Sequence, residues 1–264
     1  MSGSDRHPGA VDLPSGWRLH AFDEVGSTNV EALALGEQGA PEGTTVWALR
    51  QNAGRGRRGR ARVSPQGNLF ASFLLRPRVR SGEAALLSFV ASLAVAEAVE
   101  AMGAGRGPVP GLKWPNDVLL EGRKTSGILL ESRTGSDPDR VDFVVAGIGI
   151  NLAAHPEDVE RPTTSLAAHG VSVAPGEALG HLARALARTY ARWCSEGFEP
   201  IRQAWLDRAI GVGEPILVQL AQERFEGVFE TLGPDGALMV RLAEGGVRPV
   251  HAGDVFPLGA PVRH

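Results

Sequence analysis

The chain has 264 residues, of which 43% are apolar and 22% charged, with a single cysteine and a net charge of −3. That length accommodates one large domain or a large and a small one, and that composition excludes general disorder. Lone Cys194 excludes an internal disulfide, fits a reducing cytoplasmic setting and leaves no zinc framework. The N-terminal stretch is polar and Pro/Gly-rich, unlike a secretory signal, and the uncharged apolar run Ala84–Ala96 has 13 residues, short of the ~20 a membrane span requires.

The first 16 residues read as a flexible tail. Trp17–Phe22 predicts a short strand, and Ser27 or Thr28 offers an N-cap for a helix running to about Gln38. Thr44–Gln51 and Asn68–Leu75 read as strands flanking a Gly/Arg loop. Glu83–Met102 is the longest helical pattern and is apolar over most of its circumference, as a central buried helix would be. Two strands follow, Gly111–Leu120 and Lys124–Arg133, with a connection short enough for a hairpin; Val141–Leu152 is a third. After a loop at 153–174, helices are expected at Pro175–Cys194 and Glu199–Arg208. From Gly211 onward short β runs alternate with glycines, predicting a small barrel and a domain boundary near residue 210. The whole reads as α+β, followed by a small β domain.

Charge is unevenly placed. Gly43–Gly82 holds nine Arg and no acidic residue, so the rest of the chain carries −12. A local basic segment in a mildly acidic protein points to an anion site rather than to general nucleic-acid binding. Within it, Gly54-Arg55-Gly56-Arg57-Arg58-Gly59-Arg60 has the form G-x-G-x-x-G after a predicted strand, but Pro65 and Gly67 stand where a dinucleotide fold would open its helix. Three readings stand: a loop offering forked donors to a phosphate or carboxylate, a solvated basic loop, or a nucleic-acid patch. Lys113-Trp114-Pro115-Asn116-Asp117 is either a turn or a strand bent at Pro115 that presents polar groups to a nucleotide and its metal. Gly122-Arg123-Lys124 followed by Gly127 is not a Walker A sequence, yet it puts one of only two lysines opposite Asn116-Asp117. Gly147-Ile148-Gly149-Ile150-Asn151 is a tight crossing or a backbone meeting a ligand. Ser27-Thr28-Asn29 caps a helix or binds a small polar group. No histidine spacing suits a metal and no nucleophile elbow occurs.

In this order along residues 17–260, these strings resemble the biotin protein ligases: Ser27-Thr28-Asn29, Gln51, the arginine string at 54–60, Ser64-Pro65, the Lys113–Asp117 string, Gly122-Arg123-Lys124, Gly127-Ile128-Leu129, the Gly147–Asn151 string and the terminal β domain. The resemblance implies a biotin/lipoyl-ligase catalytic fold, a mixed β-sheet with packed helices over 17–210, and an SH3-like barrel over 211–264. It implies that ATP and biotin give biotinyl-5′-AMP and that the biotinyl group then passes to a lysine of a biotin carboxyl carrier protein or domain. A lipoate ligase or lipoyl/octanoyl transferase of the same fold is the alternative. Ser27, Thr28, Asn29, Gln51, Arg55, Gly56, Arg57, Lys124 and Gly127 would contact biotin. Arg57, Arg58, Lys113, Asn116, Asp117 and Asn151 would serve ATP, with Asp117 toward Mg²⁺, and Lys124, Arg57 and Lys113 would act in catalysis. The arginine loop would order over the ligand. Two positions depart from the family pattern: Arg62 replaces a common Trp, and Val255-Phe256-Pro257-Leu258 lacks an arginine. With about 16 residues before Trp17, no DNA-binding domain is expected, nor a membrane partner; a monomer or a homodimer fits equally.

Overall fold

A computed structural model describes residues 11–54, 56, 64–157 and 162–258. Arg55, Arg57 and Arg58 lie outside the described residues, and with them the loop expected to close over a ligand. Residues 11–16, read as tail, pack on the body: Val11 and Leu13 join the core, and Asp12 pairs with Arg184 at 2.6 Å.

Seven strands form the main sheet: β1 (Arg18–Val25), β2 (Thr44–Gln51), β3 (Leu69–Leu75), β4 (Gly111–Lys113), β5 (Asp117–Leu120), β6 (Arg123–Thr134) and β7 (Val141–Ile150). Their spatial order is β1-β2-β3-β7-β6-β5-β4. Only the β1–β2 pair is parallel, because α1 (Thr28–Glu37) carries the chain back between them. The expected strand Gly111–Leu120 is two, since Pro115 has no N–H for a ladder and interrupts it. Glu121 and Gly122, at φ 48° and 75°, make the two-residue turn whose twist suits the β5–β6 hairpin.

The sheet separates two apolar layers. On one face Ala32 and Leu33 of α1 pack on Val46, Leu74, Phe143 and Val145. The opposite face meets α2 (Leu87–Met102), preceded by a 3₁₀ turn at Glu83–Leu86, and α3 (Pro175–Glu196). The span Glu83–Met102 reaches a mean hydropathy of 1.7, enough by length and composition to cross a membrane, yet 67% of it is buried within the protein. Its apolar character is that of a core helix wedged between sheet and α3.

After α4 (Glu199–Leu206), a second sheet forms in the order β11-β10-β9-β8-β12, all antiparallel: β8 (Pro215–Gln219), β9 (Arg224–Leu232), β10 (Leu238–Arg241), β11 (Val247–Val250) and β12 (Asp254–Pro257). The sequence reading found four of these and missed β12. The two sheets share one core: Phe89 of α2 stacks edge-on with Phe198 and Trp205, both at 5.4 Å, and the Trp114 indole donates to Gly236 O at 3.2 Å.

Candidate functional site

Where α1 begins, a small pocket is lined by Ser27, Thr28, Asn29, Gln51, Phe70, Leu129 and Gly147 to Gly149. Ser27 occupies the N-cap position but makes no side-chain cap. Gln51 supplies the cap from β2: its Oε1 accepts from Thr28 N at 2.8 Å and from Thr28 Oγ1 at 3.1 Å. The Ser27 hydroxyl is thereby left to the pocket. Asn29 is held at both ends of its amide. Its Nδ2 donates to Glu131 Oε2 at 2.7 Å, and its Oδ1 accepts from Ser72 Oγ at 2.6 Å. Thr28, Asn29 and Ser72 are all buried, so this closed network fixes their rotamers before any ligand arrives. Gly147 has a packing reason to be glycine, because a Cβ there would lie 1.9 Å from Asn29 Oδ1.

From this pocket a row of directly opposed residues crosses the sheet: Phe70 on β3, Gly149 on β7, Gly127 on β6, Asp117 on β5 and Lys113 on β4. Opposed residues of an antiparallel ladder share a face. The middle of the row is two glycines, so the sheet offers bare backbone there. The row spans four strand spacings, roughly 19 Å, which suits an elongated ligand lying across the strands.

At its far end the row becomes charged. Lys124 Nζ is ion-paired with Asp117 Oδ1, an aspartate 8% exposed beside a lysine 33% exposed. The pairing depends on a bulge. Val118 opposes Ser126 but Leu119 opposes Lys124, so Thr125 is an extra residue in β6. In a regular register Lys124 would fall on the face opposite to Gly127; the extra residue returns it to the face of Asp117. The segment after β7 clamps this irregular stretch, Lys124 N donating to Pro162 O and Thr164 N to Lys124 O, each at 2.9 Å. The Thr125 and Ser126 hydroxyls are buried without a hydrogen-bond partner among the described residues.

The structure thus brings Ser27, Thr28, Asn29 and Gln51 together at one end, and Lys113, Asp117 and Lys124 at the other, with Gly127 between. Gly56 is described but is not among the pocket's lining residues. The amide nitrogens of Asn116 and Asn151 are committed to backbone, to Ile128 O at 2.6 Å and to Thr164 O at 3.0 Å, where they tie strands and loop together. Sequence reasoning missed Phe70, Ser72, Leu129 and Glu131; the one signal was a lone serine inside the apolar strand Leu69–Leu75. Among the described residues no three His, Cys, Asp or Glu group as metal ligands. Asp117 alone suits Mg²⁺ as that ion usually travels, on nucleotide phosphates with one or two carboxylates. Cys194 is exposed on α3 and is not among the pocket's lining residues; desolvation by its neighbours pushes its thiol up, a Tyr190 hydrogen bond opposes this and nearby Glu42 adds to it, which is not the environment of an activated thiol.

Comparison with known proteins agrees with this architecture. Residues 22–151 match the Biotin/lipoate A/B protein ligase family, and residues 211–256 match the Biotin protein ligase C terminal domain. The biotin–[acetyl-CoA-carboxylase] ligase of Paracoccus denitrificans is 44% identical over 238 residues, 87% of this chain and 96% of that protein. The bifunctional ligase/repressor BirA of Bacillus spizizenii is 33% identical over 246 residues, 91% of this chain and 74% of its own. The solved biotin protein ligase of Aquifex aeolicus, in complex with biotin and ATP, superposes with a TM-score of 0.77 at 28% identity, covering 90% of this chain and 98% of that one. Catalytic sheet and terminal sheet are matched together, and this chain belongs to the biotin protein ligase family.

Proposed function

We propose that the protein activates biotin with ATP and transfers it to a lysine of a carrier domain. A biotin carboxylate oxygen attacks the α-phosphorus of ATP, forming biotinyl-5′-AMP as pyrophosphate leaves. The carrier lysine's amine then attacks the acyl carbon and AMP leaves. The observation that carries this reading is the cross-strand row, which joins a neutral, hydrogen-bonding pocket to a lysine-bearing end over a floor of two glycines. A compact polar ring suits the first end and phosphates the second. No protein nucleophile is required: the attack brings two anions together, and cations held in place offset the developing charge.

In this reading Ser27, Thr28, Asn29 and Gln51 hold the biotin ring, and Gly127 lets the ligand approach the backbone. Lys124 lies at the carboxylate and α-phosphate. Lys113 and Asp117 serve the nucleotide, with Asn116 and Asn151 holding the surrounding backbone. Mg²⁺ would arrive with ATP and be held by Asp117, supplying charge neutralisation at the phosphates. Arg55, Arg57 and Arg58 would close over the adenylate. Residues 17–210 would be the catalytic unit and 211–264 its accessory domain, working in the cytoplasm on a carrier of acetyl-CoA carboxylase or a related enzyme. The relatives named for biotin, and the match of residues 211–256, favour biotin over lipoate.

Exchange of labelled pyrophosphate into ATP tests the reading. It should require biotin and fail with lipoate or octanoate. Exchange supported equally by lipoate would move the protein to the lipoyl branch, and no exchange with either would remove the assignment.

A further inference from the structure

Resting on the reading of Lys113 as a nucleotide-facing residue, we infer that Phe256 of the terminal sheet is a positioning residue for Lys113, holding its ammonium in place by a cation–π contact. Lys113 ends β4, the last strand of the main sheet among the described residues, which beyond β5 is bridged only at Leu112, by the 208–210 segment. A lysine side chain has four rotatable bonds, and fixing them costs rotamer freedom.

The terminal sheet supplies the hold. Half-buried Phe256, on β12, presents its ring with the Lys113 Nζ over it, 5.5 Å from the centroid. The backbone on which Lys113 stands is anchored independently. Leu112 N donates to Arg208 O at 2.8 Å, Ile210 N donates to Leu112 O at 2.9 Å, and the Trp114 indole reaches Gly236 O of the terminal sheet. With the strand fixed by the 208–210 segment and by the terminal sheet, the ring adds a restraint on the side chain itself. Phe256 lies in the segment Val255–Leu258, which itself carries no cation. An aromatic face here acts on the nucleotide end through Lys113 rather than by touching phosphate.

The test compares Phe256→Leu, which keeps an apolar side chain but removes the π face, with Phe256→Trp, which keeps the face. Both are made in the full chain, alone and combined with Lys113→Met. Phe256→Leu should raise the KM for ATP or lower the exchange rate by roughly three- to tenfold, leave the KM for biotin and the melting temperature unchanged, and be rescued by tryptophan. In the Lys113→Met background it should have no further effect. A readout free of catalysis exists because the chain has two lysines, so ¹³Cε-lysine spectra show two ε signals. The ring current should shift the Lys113 signal upfield in wild type and Phe256→Trp, and this shift should vanish in Phe256→Leu. A Lys113 signal indifferent to Phe256→Leu, or an additive effect in the double variant, overturns the proposal. Wild-type protein lacking biotin-dependent exchange would overturn the functional reading instead, while the spectra would still decide whether ring and ammonium are in contact.

Discussion

The two ends of the site are built on opposite principles. At the pocket end the lining polar groups are uncharged, mostly buried, and tied by complementary donors and acceptors: Gln51 caps α1, Ser72 and the half-buried Glu131 carboxylate behind the lining grip Asn29, and Gly147 makes room for it. At the lysine end the groups are charged, partly exposed, and aimed by departures from regular structure: a bulge at Thr125, a strand interrupted at Pro115, and an aromatic ring borrowed from another sheet. A neutral ring can be bound by a finished mould. A reaction that creates and releases anions requires cations that can exchange partners, and on the proposed reading the Lys124–Asp117 pair is such a provision. Preorganisation dominates one end, and reserve of charge the other.

The largest effect should come from altering the charged end without changing its charge. Lys124→Arg keeps the cation but replaces a compact ammonium by a planar fork beside Asp117, and should reduce biotin-dependent exchange by roughly a hundredfold or more. Exchange within about threefold of wild type would return Lys124 to a surface role.

At the neutral end the sharper tool is a single methyl group. Gly147→Ala places a Cβ where Asn29 Oδ1 now lies, so Asn29 must release Ser72 or Glu131. The KM for biotin should rise about ten- to hundredfold, the equivalent of one or two lost buried hydrogen bonds, while the KM for ATP stays put. Equal shifts in both constants would mean that the two ends are not separable.

The smallest effect should appear among the hydroxyls at the bulge. Unlike Ser72 and Thr28, Thr125 Oγ1 and Ser126 Oγ are buried without partners among the described residues. Thr125→Val and Ser126→Ala should leave melting unchanged or raise stability by about 1 kcal/mol, because each removes an unsatisfied group. A clear destabilisation by either would show that its hydroxyl is engaged after all.

Much of the fold follows from pattern. Thr44–Gln51 is a strand with the same limits by sequence and by structure, because its β-branched and aromatic residues sit between a glycine turn and the loop. The helix at 83–102 was visible in its all-round apolarity. At the site, the strings carrying Ser27–Asn29 and Lys113–Asp117 stood out as chemistry. Their arrangement could not be read, because it depends on partners distant along the chain. Nothing local says that Gln51 rather than Ser27 caps α1, since the two are brought together by parallel pairing of β1 with β2. Nothing local says that Thr125 is an extra residue, since a bulge is defined by the opposing strand. The glycines of Gly147–Ile150 were noticed but left between two explanations, and the structure divides them: Gly147 yields to Asn29, whereas Gly149 belongs to the bare row. β12 shows no strand pattern by sequence because acidic Asp254 opens it and Pro257 closes it, leaving only Val255 and Phe256 between them.

The rarity of lysine beside this arrangement has a practical side. Lys113 and Lys124 are the chain's entire complement of ε-amines among 25 arginines, and both stand on the lysine end of the row. An amine-selective active ester, which on most proteins labels the surface at random, has here two targets besides the α-amine. If the proposed roles of the two lysines hold, its stoichiometry reports occupancy of the site, and protection by nucleotide becomes a direct titration. By the same chemistry, coupling the protein to a support through its lysines would anchor it by the lysine end of the row, so on the proposed reading a tether has to be attached by some other functional group.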